Sequence, residues 1–177
     1  MAQPTLLFLC GSLNRASANR AVLDTAERFV RRLELANVTN YENLGDVPPL
    51  DPDPSIEIPS AVATLRRLIG AADAVLIAAP EYGGAIAGTI KNALDWVVGS
   101  GEFCDKPVAL LSAGTTGGVF ARQMMNQTLT WQGARVIADL GISAPRTKSD
   151  EYGEIVDSQT ISDIETVVRR LIASIGF

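Results

Sequence analysis

Residues 5–19 read TLLFLCGSLNRASAN, and this stretch decides the fold. Thr5 to Cys10 is a continuous apolar run, the pattern of a strand buried on both faces. It stops at Gly11-Ser12 and gives way to a polar loop that ends at Asn19. From Arg20 to Leu35 the apolar residues recur at Val22, Leu23, Ala26, Phe29, Val30 and Leu33, with Glu27, Arg28, Arg31 and Arg32 on the wet side. That spacing predicts an amphipathic helix.

The same alternation continues down the chain. Further strands are expected at Val38–Tyr41, Ala74–Ala79, Pro107–Ser112 and Ala134–Ala138. Helices are expected at Ser60–Gly70, Ile86–Val98, from Gly117-Gly118 to about Trp131, and from Ser158 to Ile175. Residues 45–59, GDVPPLDPDPSIEIP, hold five prolines and are expected to carry no regular element. Doubly buried strands alternating with helices predict an α/β fold with a parallel sheet, here as one domain over residues 1–177.

Composition narrows the function. The chain has 177 residues and no histidine. A Ser-His-Asp or Cys-His site, an H-E-x-x-H zinc site and an imidazole base are therefore excluded. A net charge of −5 and a pI near 4.7 argue against nucleic-acid and polybasic membrane binding. Two cysteines, Cys10 and Cys104, make neither a disulfide framework nor a zinc site. With only a short apolar run near its start, the expectation is a cytoplasmic protein with free thiols.

Ligands of such sheets bind outside the carboxyl ends of the strands, where three loops should meet. The first, Gly11–Asn19, offers Ser12, Asn14, Ser17 and Asn19 as hydrogen-bonding groups, Arg15 as a cation, and a helix N-terminus. These make an anion cradle suited to phosphate. Equally, Ser17 simply caps the helix and Arg15 is solvated. The loop is neither G-x-x-x-x-G-K-[ST] nor G-x-G-x-x-G. The second loop, from Pro80 to Gly88, brings Glu81, Tyr82 and the pair Gly83-Gly84 to a strand mouth. The third, Ser112–Gly118, adds small residues and unshielded amides, with Ser112, Gly114 and Gly117 as candidates. A phosphate for the first loop and a flat heterocycle for the other two suggest FMN.

The segment Pro80–Trp96 resembles the PEYNxSxPGxLKNAxDW pattern of the NADPH-dependent FMN reductase family, which includes quinone, azo-dye and chromate reductases. The match falls on Pro80, Glu81, Tyr82, Gly88, Lys91, Asn92, Ala93, Asp95 and Trp96. The resemblance extends from Leu6 to about Val136. It departs at Asn14, where the family usually has arginine, and at Gly83, Ala85 and Ala87.

The resemblance implies a flavodoxin-like doubly wound sandwich with a five-stranded parallel sheet, order 2-1-3-4-5. It implies FMN as cofactor, NADPH or NADH as donor, a small-molecule acceptor, ping-pong kinetics, and a homodimer or homotetramer. No catalytic side chain is required, because the cofactor carries the chemistry. By resemblance, Ser12, Ser17 and Asn19, with Asn14 and Arg15 beside them, hold the phosphate. Pro80, Glu81, Tyr82 and Gly83 border the ring, and Ser112, Gly114 and Gly117 approach from the third loop. Lys91 and Asp95 are read as a surface pair or subunit contact, and Trp96 as core or interface. Two rivals stand beside this reading. One is a flavodoxin-type electron carrier. The other is a small phosphatase using Cys10, although Ala16 stands where a C-x5-R loop needs arginine.

Overall fold

The computed structural model describes residues 3–53, 55 and 57–176; Pro54 and Ile56 of the proline-rich loop lie outside them. Five strands form one parallel sheet: β1 (Thr5–Cys10), β2 (Asn37–Tyr41), β3 (Ala74–Ala78), β6 (Pro107–Gly114) and β7 (Arg135–Ser143). Their order is β2-β1-β3-β6-β7. Counting only these strands, that is 2-1-3-4-5, the expected topology. Register is set by pairs such as Leu6 with Val38 and Ala74, Val75 with Val108, and Pro107 with Arg135.

The side-chain period of two divides each central strand between two cores. Leu7, Leu9, Val75, Ile77, Val108 and Leu110 face α2 (Ser60–Ala71), α3 (Gly88–Trp96) and α4 (Val119–Trp131). Leu6, Phe8, Leu76, Ala109 and Leu111 face α1 (Ala18–Arg32) and α5 (Ser158–Ala173). Each fully buried Leu or Phe contributes roughly 1.5–3 kcal/mol relative to exposure. These two layers hold the strand ends rigid where the loops emerge.

Four expectations are corrected. Helix α3 begins at Gly88 rather than Ile86, because residues 81–86 form an antiparallel hairpin, β4 (Glu81–Tyr82) with β5 (Ala85–Ile86). Its turn residues Gly83 and Gly84 both have positive φ, 59° and 70°, as a two-residue hairpin turn requires. Strand β6 runs two residues past Ser112 to Gly114, so Ala113 and Gly114 lie in the sheet and not in the third loop. Strand β7 continues to Ser143, well past Ala138. It is an edge strand, buried at Ala138 and Ile142 and exposed at Asp139, Gly141 and Ser143, so no continuous apolar run marks it. A short 3-10 turn at Leu44–Asp46 opens the region expected to be irregular, just ahead of the prolines. No described helix is long and apolar enough to cross a membrane.

Candidate functional site

The first loop is built from its own side chains. Ser12 Oγ accepts from the Asn14 N–H (3.3 Å), and Asn14 Oδ1 accepts from the Ala16 N–H (3.0 Å). Ser17 caps α1, its Oγ accepting from the Arg20 N–H at 3.1 Å. The two other first-turn amides, Ala18 and Asn19 N–H, have no partner among the described residues. A helix start with orphan amides and a serine hydroxyl left to donate is chemically matched to an anion.

Asn19 does something other than face open space. It is buried, its Nδ2 donating to the Ala113 carbonyl (3.0 Å) and its Oδ1 accepting from the Ala113 N–H (2.9 Å). The side chain therefore clamps α1 to the end of β6. Arg15 lines a shallow depression of about 190 Å³ with Arg20, Asp24, Arg28 and Glu154. It does not line the larger cleft onto which Asn14 and Ser17 open.

That cleft has a volume of about 800 Å³. The first loop supplies Asn14, Ala16, Ser17 and Ala18, and the end of β6 with the third loop supplies Ala113, Gly114 and Thr115. The opposite wall is the segment after β7, including Ala144, Arg146 and Thr147. This wall was not foreseen. The signal was present in the sequence, but ending β7 at Ala138 hid that residues 144–151 also leave a strand at the carboxyl edge. The second loop lines none of this cleft.

Instead the second loop is tied to its neighbours. Glu81 Oε2 accepts from the Phe120 and Ala121 N–H groups (2.8 and 3.1 Å), capping α4 from another element. Gly118, at the helix's own N-cap position, has no side chain to do so. Thr89 Oγ1 donates to the Gly11 carbonyl at 2.7 Å, joining α3 to the first loop. Ser112 Oγ donates to the Ala79 carbonyl at 2.7 Å and is fully buried. So Glu81 and Ser112 spend their side chains on structure. What the second loop leaves free is the Gly83-Gly84 backbone and the exposed ring of Tyr82. In the third loop Gly117 packs against Gly141 of β7, and Arg122 Nε donates to the Gly117 carbonyl (3.0 Å), fixing the loop.

Helix α3, which carries most of the family-like motif, has a different task. Asn92 Nδ2 donates to the Pro48 carbonyl (2.8 Å), while its Oδ1 accepts from the Leu50 N–H (2.9 Å). Trp96 is buried and donates from Nε1 to Pro48 (2.7 Å). Together they staple the proline-rich loop to α3. Lys91 and Asp95 pair on the surface at 2.6 Å.

Cys10 lies buried at the end of β1, and burial pushes its thiol above the usual cysteine range. A nucleophilic cysteine needs the opposite shift. No cluster of potential metal ligands occurs among the described residues.

Comparison with known proteins places this arrangement. A family profile described as NADPH-dependent FMN reductase matches residues 4–148. An NAD(P)H-dependent FMN reductase of Pseudomonas aeruginosa is 33% identical, over 94% of this chain and 96% of its own. A quinone reductase of Escherichia coli is 28% identical, over 90% of this chain and 88% of its own. The flavoenzyme NAD(P)H:(acceptor) oxidoreductase of Paracoccus denitrificans superposes with a TM-score of 0.80 at 24% identity, covering 97% of each chain. With the sheet order, the orphan amides of α1 and the Glu81-tethered hairpin in the positions just described, the chain belongs to the NADPH-dependent FMN reductase family.

Proposed function

We propose that this chain is an FMN-dependent NAD(P)H oxidoreductase, carried by one flavodoxin-like domain over residues 1–177, that reduces small acceptors such as quinones, azo compounds, free flavins or metal oxyanions. The observation that carries the reading is the pairing of two surfaces at one sheet edge. Unpartnered amides at the start of α1 suit a phosphate, and a backbone-lined hairpin suits a flat ring. FMN is a phosphate joined to such a ring. When bound, it supplies the redox chemistry, accepting electrons from NAD(P)H and passing them to the acceptor.

The chain's own residues position rather than react. Ser17 and the Ala18 and Asn19 amides take the phosphate, within a loop whose shape Ser12 and Asn14 set. The Asn19 side chain acts at one remove, by holding the Ala113–Gly114 wall. Pro80, Glu81, Tyr82 and Gly83 border the ring through their backbone and the Tyr82 face, with Gly114 and Gly117 opposite and Ser112 beneath. Arg15 contributes at most a local positive field from its neighbouring depression. No side-chain acid or base is needed, which agrees with the absence of histidine.

An electron carrier is not favoured, since the relatives are reductases, and the buried Cys10 disfavours a phosphatase. The protein is further read as cytoplasmic and as a homodimer or homotetramer. Steady-state oxidation of NAD(P)H with a quinone tests the reading. Sustained, quinone-dependent turnover with parallel double-reciprocal plots is expected. Turnover no faster than that of free FMN would contradict it.

A further inference from the structure

The cleft between the first loop and the segment after β7 has an electrostatic feature that the first loop alone does not explain. Its lining includes Ala18, whose amide, like that of Asn19 next to it in the first turn, has no partner among the described residues. Its polar side chains are mostly engaged. Thr147 Oγ1 donates to the Ala144 carbonyl (2.9 Å), and Ser149 Oγ donates to the Pro145 carbonyl (3.0 Å). Asp150 Oδ1 accepts from the Tyr152 and Glu154 N–H groups at 3.0 and 2.9 Å.

Arg146 is the one cation among the described lining residues. It lines the cleft, is exposed, and has neither a hydrogen bond nor a carboxylate within 4.0 Å among the described residues. The other cations near this edge are differently placed. Arg20 pairs with Glu42 (3.5 Å), Arg28 pairs with Glu154 (3.4 Å), and Arg15 faces the smaller depression. The segment that carries Arg146 is anchored, not loose. Ala144 holds a positive φ of 47°, and its N–H donates to the Gly114 carbonyl at 3.1 Å. A strained non-glycine residue held by the end of β6 sets where the 145–148 turn begins.

We propose that Arg146 binds a phosphate monoester in this cleft, across from Asn14, Ser17 and the start of α1. This rests on the reading above, in which two such groups visit the protein: the 5′-phosphate of FMN and the 2′-phosphate of NADPH. A guanidinium presents paired donors that fit a phosphate dianion, and helix amides complete its coordination from the other side. Asp150 and Glu151, on the same wall, both oppose the dianion; Asp150 is partly offset by the two N–H groups it accepts, and the Arg146 guanidinium and the helix amides together must outweigh the rest.

The test compares Arg146→Ala, Arg146→Lys and Arg15→Ala in the full chain, each checked for an unchanged melting temperature. Flavin fluorescence titrations with FMN and with riboflavin, which lacks the phosphate, read the first source. Binding of NADPH against NADH reads the second. A charged hydrogen-bonded contact predicts a loss of about 10- to 100-fold in Arg146→Ala for the phosphorylated ligand only. Arg146→Lys recovers part of that loss, and Arg15→Ala changes it by less than about threefold. A loss confined to FMN over riboflavin assigns the site to the cofactor, and one confined to NADPH over NADH assigns it to the donor. Equal losses for both members of each pair, no loss, or a selective loss in Arg15→Ala would overturn the proposal. Inorganic phosphate separates it from the functional reading. A protein that binds no flavin, yet is stabilised by phosphate only when Arg146 is present, keeps the Arg146 site and loses the reductase.

Discussion

The first and second loops leave adjacent strands at the same sheet edge, yet they are built in opposite ways. The first satisfies its shape with short-range bonds from Ser12, Asn14 and Ser17, and leaves helix amides open. The second takes its shape from elsewhere: Glu81 reaches across to α4, and Thr89 reaches back to Gly11. One loop therefore recognises with groups that its own sequence exposes. The other offers a backbone surface whose position depends on distant elements. Substitutions in the first should change ligand affinity locally, whereas substitutions in the ties of the second should move stability and affinity together.

The sharpest way to break the contrast is at Asn19, the first-loop residue that behaves like a second-loop tie. Asn19→Leu orphans a buried N–H and C=O of Ala113, at about 1–3 kcal/mol each. Thermal unfolding should show it as the most destabilised variant of the set. A loss under about 0.5 kcal/mol would mean the clamp is dispensable. Gly11→Ala comes next. An added Cβ would stand 2.7 Å from Ala79 Cβ, where β1 and β3 come together, so the strand ends must part. Denaturant titration should register about 1–3 kcal/mol.

Glu81→Ala removes the cap of α4 and should cost about 0.5–2 kcal/mol in the same titration. FMN and riboflavin affinity should fall together, because the tie acts on the ring surface and not on the phosphate. A phosphate-selective loss in this variant would erase the distinction between the loops. The smallest effect is expected on α3, where Lys91→Ala removes a half-exposed pair worth no more than about 0.5 kcal/mol. The two thiols supply a control on burial. An alkylating reagent should label exposed Cys104 well before Cys10, whose raised pKa keeps it protonated as pH rises through the ordinary cysteine range.

The same contrast explains what could be read from the chain. Strands β1, β3 and β6 are buried on both faces, so their sequences are unbroken apolar runs and their places were legible, whereas the sheet order followed from the family resemblance and not from those runs. Edge strand β7 has one wet face, and its far half looked like loop. That error concealed the wall carrying Arg146. The hairpin at 81–86 has strands of two residues, too short for any period to show. At the site, residue types were informative while directions were not. Asn14, Asn19, Glu81 and Ser112 all read as ligand-facing polar groups. Which of them turn inward to hold a backbone depends on contacts as much as 94 residues away in the chain.

The most direct measurement is a spectroscopic half-reaction. The purified chain is mixed with FMN, passed through a desalting column, and treated anaerobically with NADPH or NADH and then with a quinone. The account predicts that the yellow flavin absorbance stays with the protein, bleaches on adding the nicotinamide alone, and returns when the quinone follows. Flavin that separates from the protein on the column, or colour that the nicotinamide leaves unchanged, would contradict it.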